Sequence, residues 1–152
     1  MNDKGFFFFL LIFVVLLTVP GYTQEAENSV PPLAIFAASY RGDVEMVRYI
    51  LACGADKNDR DSFGDTALHV AVFQSNSGVV KLLLDYGFDP NAKVIKNGYT
   101  PLHNAVSANN VEAARLLLQY GANKNIKGLD GLTPLDKARK EEKQALVRLL
   151  YR

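Results

Sequence analysis

The chain has 152 residues, 17 of them basic and 16 acidic, so its formal net charge is only +1. This length is enough for a single domain. The near-neutral charge gives no electrostatic reason to expect nucleic acid or an anionic membrane surface as a partner. Because Cys53 is the only cysteine, an internal disulfide is excluded, and an exported form would depend on packing for its stability.

The chain begins with an apolar segment. No charged residue occurs between Gly5 and Gln24, and residues 6–19 (FFFFLLIFVVLLTV) are apolar apart from Thr18. As a helix this segment reaches about 21 Å, which is short of a bilayer core of about 30 Å. Its length therefore favours the apolar region of a signal peptide over a membrane span.

Small residues at the end of the segment allow cleavage after Gly21 or Thr23. We therefore predict a signal peptide at 1–23, a linker at 24–31 and an exported protein, secreted or periplasmic. The alternative is an uncleaved signal-anchor, in which the apolar segment extends to Tyr22 and holds the rest of the chain at a membrane.

From residue 32 onward, two short motifs recur at a fixed spacing. The first carries a threonine in GDTALH, GYTPLH and GLTPLD, at Thr66, Thr100 and Thr133. The second carries a glycine in CGADKN, YGFDPN and YGANKN, at Gly54, Gly87 and Gly121. The intervals are 33 or 34 residues in both series. A period of this size is typical of stacked repeat units.

Each unit is predicted to form two short helices. Apolar residues recur at helical spacing in VVKLLL (79–84) and VEAARLLL (111–118). The threonines suit the cap of the first helix, with proline following at Pro101 and Pro134. The glycines suit the left-handed residue that ends the second helix.

A left-handed residue is also needed between the two helices of a unit. The residues at this position are Gly42, Ser75, Asn109 and Glu142. Glycine and asparagine suit the left-handed conformation, whereas serine and glutamate do not. A single continuous helix in the last unit therefore stays open as an alternative.

These motifs make the chain resemble the ankyrin repeat family, through Thr66-Ala67-Leu68-His69, Thr100-Pro101-Leu102-His103 and their glycine-turn partners. The resemblance covers residues 32–152 and implies an all-α solenoid of helix-turn-helix units with projecting turns. The repeats fall at about 32–61, 62–94, 95–128 and 129–152, and the first lacks the threonine. Stacking is expected to involve Leu68, Leu82, Leu83, Leu102, Leu116, Leu117, Leu135 and Leu149.

Two departures from the family pattern concern the projecting turns. One extra residue lies in the loop 88–99, so the turn at 93–97 is expected to bulge. The aspartate that usually precedes the turn glycine by three residues is present as Asp61. Ile95 and Gly128 replace it in the following two units.

His69 and His103, together with Asp136, raise the possibility of a metal or acid/base site. However, they occupy equivalent positions in successive units, and packed helices lie about 8–10 Å apart. Ligands of one zinc ion each approach it to about 2.1 Å, so these side chains cannot share an ion without distorting the stack. The resemblance implies a structural role, in which each histidine hydrogen-bonds within its motif and to the next repeat.

No motif in the sequence points to catalysis. Nucleophile elbow, phosphate loop, CxxC pair and carboxylate dyad are all absent from the sequence. Cys53 is interpreted as structural or incidental, since the carboxyl end of a helix does not stabilise a thiolate. The charged run RKEEKQ (139–144) is interpreted as the polar face of a terminal repeat rather than a partner site.

The resemblance implies a non-enzymatic protein-binding module, monomeric and without cofactor or metal, that binds another protein through its concave face and turn tips. Among the candidate residues, we give most weight to the aromatic ones, because aromatic side chains dominate interface energetics. The alternative for each ring is that it folds back onto a neighbouring turn. Carried over by position, the candidates are Tyr40, Arg41, Ser62, Phe63, Asp65, Phe73, Gln74, Lys96, Asn97, Tyr99, Ser107, Leu129, Leu132 and Lys140.

Overall fold

The computed structural model describes residues 33–74 and 77–151, and within these ranges all regular secondary structure is helical. The predicted all-α fold is therefore confirmed. The predicted signal peptide (1–23), the whole predicted linker (24–31), the first residue of the predicted first repeat, and Ser75 lie outside the described residues. None of the described helices has the length and hydrophobicity needed to cross a membrane.

Eight helices form four antiparallel pairs along the described chain. In chain order they are α1 (Ala34–Arg41), α2 (Val44–Ala52), α3 (Ala67–Ala71), α4 (Gly78–Asp85), α5 (Pro101–Ser107), α6 (Val111–Gln119), α7 (Pro134–Lys140) and α8 (Gln144–Tyr151). First helices pack on first helices of the next pair, and second helices on second helices. The pairs therefore stack into a solenoid, as predicted.

The turn within a pair depends on one left-handed residue. Gly42, Asn109 and Glu142 have φ values of 70°, 54° and 56°. After Glu142, the backbone N–H of Lys143 donates to the carbonyl of Ala138 at 2.8 Å. The last repeat thus has two separate helices, although glutamate is poorly suited to this conformation.

The second helix of the first three pairs ends as the glycine pattern predicts. Gly54, Gly87 and Gly121 have φ values of 88°, 81° and 88°. The residue after each glycine donates its N–H back into the helix, as Ala122 does to Leu117 at 2.9 Å. This bond closes the helix and turns the chain toward the next projecting turn.

The first helix of each later pair begins at a threonine that shares a capping box with the residue three positions on. At α3 the backbone N–H of Thr66 donates to Nδ1 of His69 at 3.2 Å, and the hydroxyl lies 2.8 Å from the same nitrogen. Thr100 and His103 repeat this arrangement at 3.2 and 2.9 Å. At α7, Asp136 takes the place of the histidine and accepts from both groups of Thr133.

The hydrophobic core runs through the stack between the two layers of helices. Leu68, Leu83, Leu102 and Leu117 are fully buried, and Leu82 is nearly so. Three of the leucines expected to stack, Leu116, Leu135 and Leu149, are only partly buried at the edge of the core. In α8 the fully buried leucines are instead Leu146 and Leu150, because they face α6 and α7.

Asparagine side chains add polar bonds between repeats. Nδ2 of Asn110 donates to the carbonyls of Val72 and Gln74 at 2.9 and 2.6 Å. Its Oδ1 accepts from the N–H of Ala113 and so caps α6. Asn91 likewise donates to the carbonyl of Gly121 at 3.1 Å. Both side chains fix the register of one repeat on the next.

Candidate protein-binding surface

Each later repeat is preceded by a projecting turn that is closed by a backbone hydrogen bond between residues four or five positions apart. The N–H of Asp61 donates to the carbonyl of Asp65 at 3.0 Å, and Gly128 does the same to Leu132. In the middle turn the bond joins Val94 to Tyr99 at 2.9 Å, so one additional residue is enclosed. The predicted bulge is therefore confirmed. Val94, and not Ile95, takes the position of the usual aspartate.

This change of register leaves an isoleucine at the tip of the middle turn. Val94 is buried, whereas the side chain of Ile95 is 81% exposed. Phe63 and Leu129, on the tips before and after it, are 64% and 75% exposed. We refer to Phe63, Ile95 and Leu129 as the tip row. Sequence reasoning identified Phe63 and Leu129 but missed Ile95.

The tips pack directly on one another. The N–H of Leu129 donates to the carbonyl of Asn97 at 2.8 Å. A Cβ on Gly98 would lie 3.1 Å from the backbone nitrogen of Leu129, which leaves little room for a side chain. Gly98 also has a φ of 70°, so glycine is required there on two grounds. Close packing of the turns places Phe63, Ile95 and Leu129 on successive, stacked tips.

Lys96 and Ser62 connect the first two tips. Nζ of Lys96 donates to the carbonyl of Ser62 at 3.3 Å and lies 5.1 Å from the centre of the Phe63 ring. This cation–π contact holds the exposed ring in a defined place without burying it. The predicted candidates Ser62, Phe63 and Lys96 therefore lie together.

A second row of exposed residues follows the first helices. Tyr40, Phe73, Ser107 and Lys140 occupy equivalent positions, two residues before the interhelical turn, and all four are exposed. Tyr40 is 62% exposed and Phe73 is 49% exposed. We refer to these four residues as the helix row. Its members lie on the first helices of successive pairs or directly after them.

Tyr99 is only half-exposed, because its ring packs on the next repeat. Its ring is stacked on the imidazole of His103, with centroids 4.9 Å apart and planes 6° from parallel. Its hydroxyl donates to Oδ2 of Asp130 at 2.6 Å, and Nζ of Lys137 lies 4.9 Å from the ring centre. The binding role of Tyr99 is not tested by these contacts and stays a prediction. The ring folds back onto the next turn, the alternative noted above.

The same contact explains the glycine that replaces the usual turn aspartate. A Cβ on Gly128 would lie 2.6 and 2.7 Å from two carbons of the Tyr99 ring, closer than real Cβ atoms approach other atoms. Tyr99 occupies the space that an aspartate side chain would need. The hydrogen bond to Asp130 raises the pKa of Tyr99 and lowers the pKa of Asp130.

Several other candidates lie within the structure of the turns. Asp65 is half-buried, its N–H bonds to Asp61, and burial raises the pKa of its carboxyl group. Asn97 accepts a hydrogen bond from the N–H of Tyr99. The carbonyl of half-buried Leu132 accepts from His103. These residues therefore hold the turns in place, and their bonded groups are less available to a partner.

The two remaining candidates, Arg41 and Gln74, lie at the ends of the first helices. Arg41 is exposed and Gln74 is half-exposed beside the interhelical turn of the first repeat. A Cβ on Gly42 would lie 3.7 Å from Cγ of Gln74. Gln74 of the second repeat therefore lies against the interhelical turn of the first repeat.

Both ring nitrogens of each histidine are hydrogen-bonded within the fold. Both residues are completely buried, and each ring bonds through Nδ1 to its own threonine and through Nε2 to a carbonyl of the next repeat. The described residues contain no group of three histidine, cysteine or acidic side chains that could hold a metal ion. Cys53 is an exposed free thiol.

Comparison with known proteins identifies the class to which this architecture belongs. A family model described as three copies of the ankyrin repeat matches residues 11–94, more than half of the chain. A second model, for many copies of the repeat, matches residues 78–118. The chain belongs to the ankyrin repeat family.

The relatives are proteins of varied kinds. An ankyrin repeat protein of Acanthamoeba polyphaga mimivirus is 32% identical over 92 residues, 58% of this chain and 57% of the viral protein. An L-asparaginase of Dirofilaria immitis is 51% identical over 53 residues, 35% of this chain and 9% of that protein. The Drosophila melanogaster channel pyrexia is 43% identical over 60 residues, 39% of this chain and 6% of that protein. The chain therefore covers less than two thirds of the length of each of these relatives.

Proposed function

We propose that this protein is a non-enzymatic module that binds another protein through the tip row and the helix row. The observation that carries the proposal is the exposure of Phe63, Ile95 and Leu129 on three consecutive tips. Leaving three large apolar side chains in water has no benefit for folding. Such rows mark interaction sites when they are continuous.

The rigidity of the surface supports the same proposal. The tips are joined by the Leu129–Asn97 and Lys96–Ser62 hydrogen bonds, and the first helices beneath them are held by buried histidines. A rigid surface loses little conformational entropy when a partner binds. A rigid apolar row beside polar groups is suited to a protein partner, since interfaces combine an apolar centre with a polar rim.

The partner can be sought by affinity capture from the source organism, with the full-length protein as bait. The test compares wild type with the double variant Phe63→Ala/Ile95→Ala. The matched control is Met46→Ala/Tyr49→Ala, which removes two exposed apolar side chains from α2, outside both rows. We expect a protein that is retained by wild type and by the control variant and lost with the double variant.

Retention of the same protein by all three baits would contradict the proposed surface. A catalytic activity of the purified protein toward any captured molecule would contradict the non-enzymatic assignment. Loss of the partner from the control variant alone would place the interface on α2 instead.

We further propose that the protein is exported, on the basis of the uncharged segment at residues 5–24. Amino-terminal sequencing of the native protein provides the test, and we expect a first residue between Tyr22 and Gln24. The family match begins at residue 11, inside this segment, so a direct measurement is needed. An intact Met1 in a membrane fraction would instead support the signal-anchor.

A further inference from the structure

The helix row changes in chemistry along the stack. Tyr40 and Phe73 present aromatic rings in the first two repeats, Ser107 presents a hydroxyl group in the third, and Lys140 presents an ammonium group in the fourth. The hydroxyl of Ser107 already donates to the carbonyl of His103 at 3.2 Å. The row is thus apolar at its amino-terminal end and cationic at its carboxyl-terminal end.

The cationic end is not neutralised within the described structure. Lys137 of α7 pairs with Glu141 at 2.8 Å, and Arg139 lies 6.0 Å from the centre of the Tyr151 ring. Lys140 is exposed and forms no ion pair with a described residue. Glu142 is the one unpaired acidic residue on the adjoining turn, and Lys143 follows it. Cations therefore prevail in the segment 139–143.

The acidic groups of the candidate surface are half-buried or have internal donors. The carboxyl group of Asp65 is half-buried, and burial raises its pKa. Oδ2 of Asp130 accepts from the Tyr99 hydroxyl, and Oδ1 accepts from the N–H of Leu132 at 3.1 Å. Apart from Glu142, a partner thus meets carboxylates that are half-buried or already bonded. Arg41 and Lys140 are the charges of the surface left open for pairing.

We propose that the partner segment changes in character along its length. Bulky apolar side chains at one end of the segment contact Tyr40 and Phe73, and carboxylates at its other end pair with Lys140. This inference deepens and rests on the proposed function, because it assumes that the helix row is the binding surface. The complementary arrangement fixes the direction in which the segment lies. An acidic, apolar protein segment fits both ends of the row.

The dimensions of the row set the length of this segment. Packed helices lie about 8–10 Å apart, so the three intervals from Tyr40 to Lys140 span about 24–30 Å. An extended chain rises about 3.3 Å per residue and covers this distance in about seven to nine residues. A twelve-residue peptide is therefore long enough to reach both ends.

The test uses a library of random twelve-residue peptides displayed on phage and selected on the full-length protein. We expect the selected peptides to carry large apolar residues and to exceed the library frequency of aspartate and glutamate. A representative peptide should bind Lys140→Glu at least tenfold more weakly. The control Lys57→Glu makes the same charge change at an exposed lysine outside both rows and should alter binding by less than about twofold.

Charge reversal in the peptide makes the test specific. Replacing its acidic residues by lysine should abolish binding to wild type and restore binding to Lys140→Glu. Selected peptides that depend on Phe73 but contain no excess of acidic residues would overturn this inference and leave the proposed function intact. Peptides insensitive to Phe73→Ala, Phe63→Ala and Lys140→Glu alike would contradict both.

A polyanion without apolar groups is the remaining competitor for the cationic end. A twelve-nucleotide single-stranded DNA serves as the probe for it. Binding of this DNA with the same affinity as the selected peptides, and with the same loss in Lys140→Glu, would overturn the proposal, since charge alone would then account for recognition. We expect the DNA to bind at least tenfold more weakly than the peptide.

Discussion

Nε2 of His69 lies 3.2 Å from the backbone carbonyl of Tyr99, thirty residues later in the next repeat. A carbonyl can only accept and the backbone N–H of Thr66 can only donate, so the ring proton is on Nε2 and Nδ1 is the acceptor. His103 bonds in the same way to Leu132 at 3.1 Å. The neutral imidazoles thereby join three successive repeats.

Protonation of these rings is expected to destabilise the fold. Burial lowers the pKa of His69 to about 4 and also lowers the pKa of His103. A proton added to Nδ1 would face the N–H of the threonine, so the folded state resists protonation. Below an unfolded pKa of about 6.5 the unfolded chain binds more protons, and stability decreases as the pH falls toward 4.

From pH 7 to pH 5, His69 alone should lower the free energy of unfolding by about 2 kcal/mol. Urea denaturation at both pH values measures the change, and the variant His69→Gln should show a smaller one. Equal stability of wild type at pH 7 and pH 5 would contradict the lowered pKa of the buried ring.

A second prediction concerns a buried hydroxyl in α1. Ser39 is fully buried, and its Oγ has no hydrogen-bond partner in the described structure. The equivalent residues of the next two repeats are Val72 and Val106, both buried. Because an unsatisfied hydroxyl is costly to bury, Ser39→Ala should stabilise the protein by about 1 kcal/mol. Thermal denaturation checks it, and a lower midpoint would indicate a partner for the hydroxyl.

A third prediction tests the packing of Tyr99 against Gly128. The methyl group of Gly128→Ala would displace the ring from His103 and from Asp130, at an expected cost of about 1–3 kcal/mol. In a Tyr99→Ala background the same substitution should cost much less, because the space is then free. A double-mutant cycle by urea denaturation measures the coupling. Additive costs would show that the ring does not occupy that space.

The core prediction compares neighbouring leucines of α6. Leu117 is fully buried and Leu116 is partly buried. Leu117→Ala should cost about 2–5 kcal/mol of unfolding free energy. Leu116→Ala should cost less than half of that, because part of its side chain already contacts water. Chemical denaturation of both variants gives the comparison, and a greater cost at Leu116 would reverse the assignment of the inner face.

The architecture could be predicted from sequence because it depends on local chemistry repeated at a fixed interval. Threonine caps and left-handed glycines act within one turn of a helix, and each recurs three times. Glu142 could not be assigned in this way. Its intrinsic preference opposes a left-handed turn, which is stabilised by the hydrogen bond from Lys143 to Ala138 and by the packing of α8 on α6 and α7.

The surface was harder to predict because it depends on contacts between repeats. Tyr99 reads as an exposed aromatic residue until Gly128, 29 positions later, provides space for its ring. Ile95 reads as a substitute for the turn aspartate until the bond from Val94 to Tyr99 shifts the register by one residue. The presence of an isoleucine beside Lys96 and Asn97 was the feature of the sequence that could have indicated an exposed apolar side chain at this tip.

The central claim is that the tip row serves binding and not folding, and Ile95→Ala tests it most directly. With the captured partner in hand, the dissociation constant and the thermal midpoint are measured on the same preparation. Loss of a buried interface side chain costs about 2 kcal/mol, so we expect affinity to fall about thirtyfold. The side chain is 81% exposed, so the midpoint should move by less than about 2 °C. An unchanged dissociation constant, or a midpoint lowered as far as in Leu117→Ala, would contradict the account.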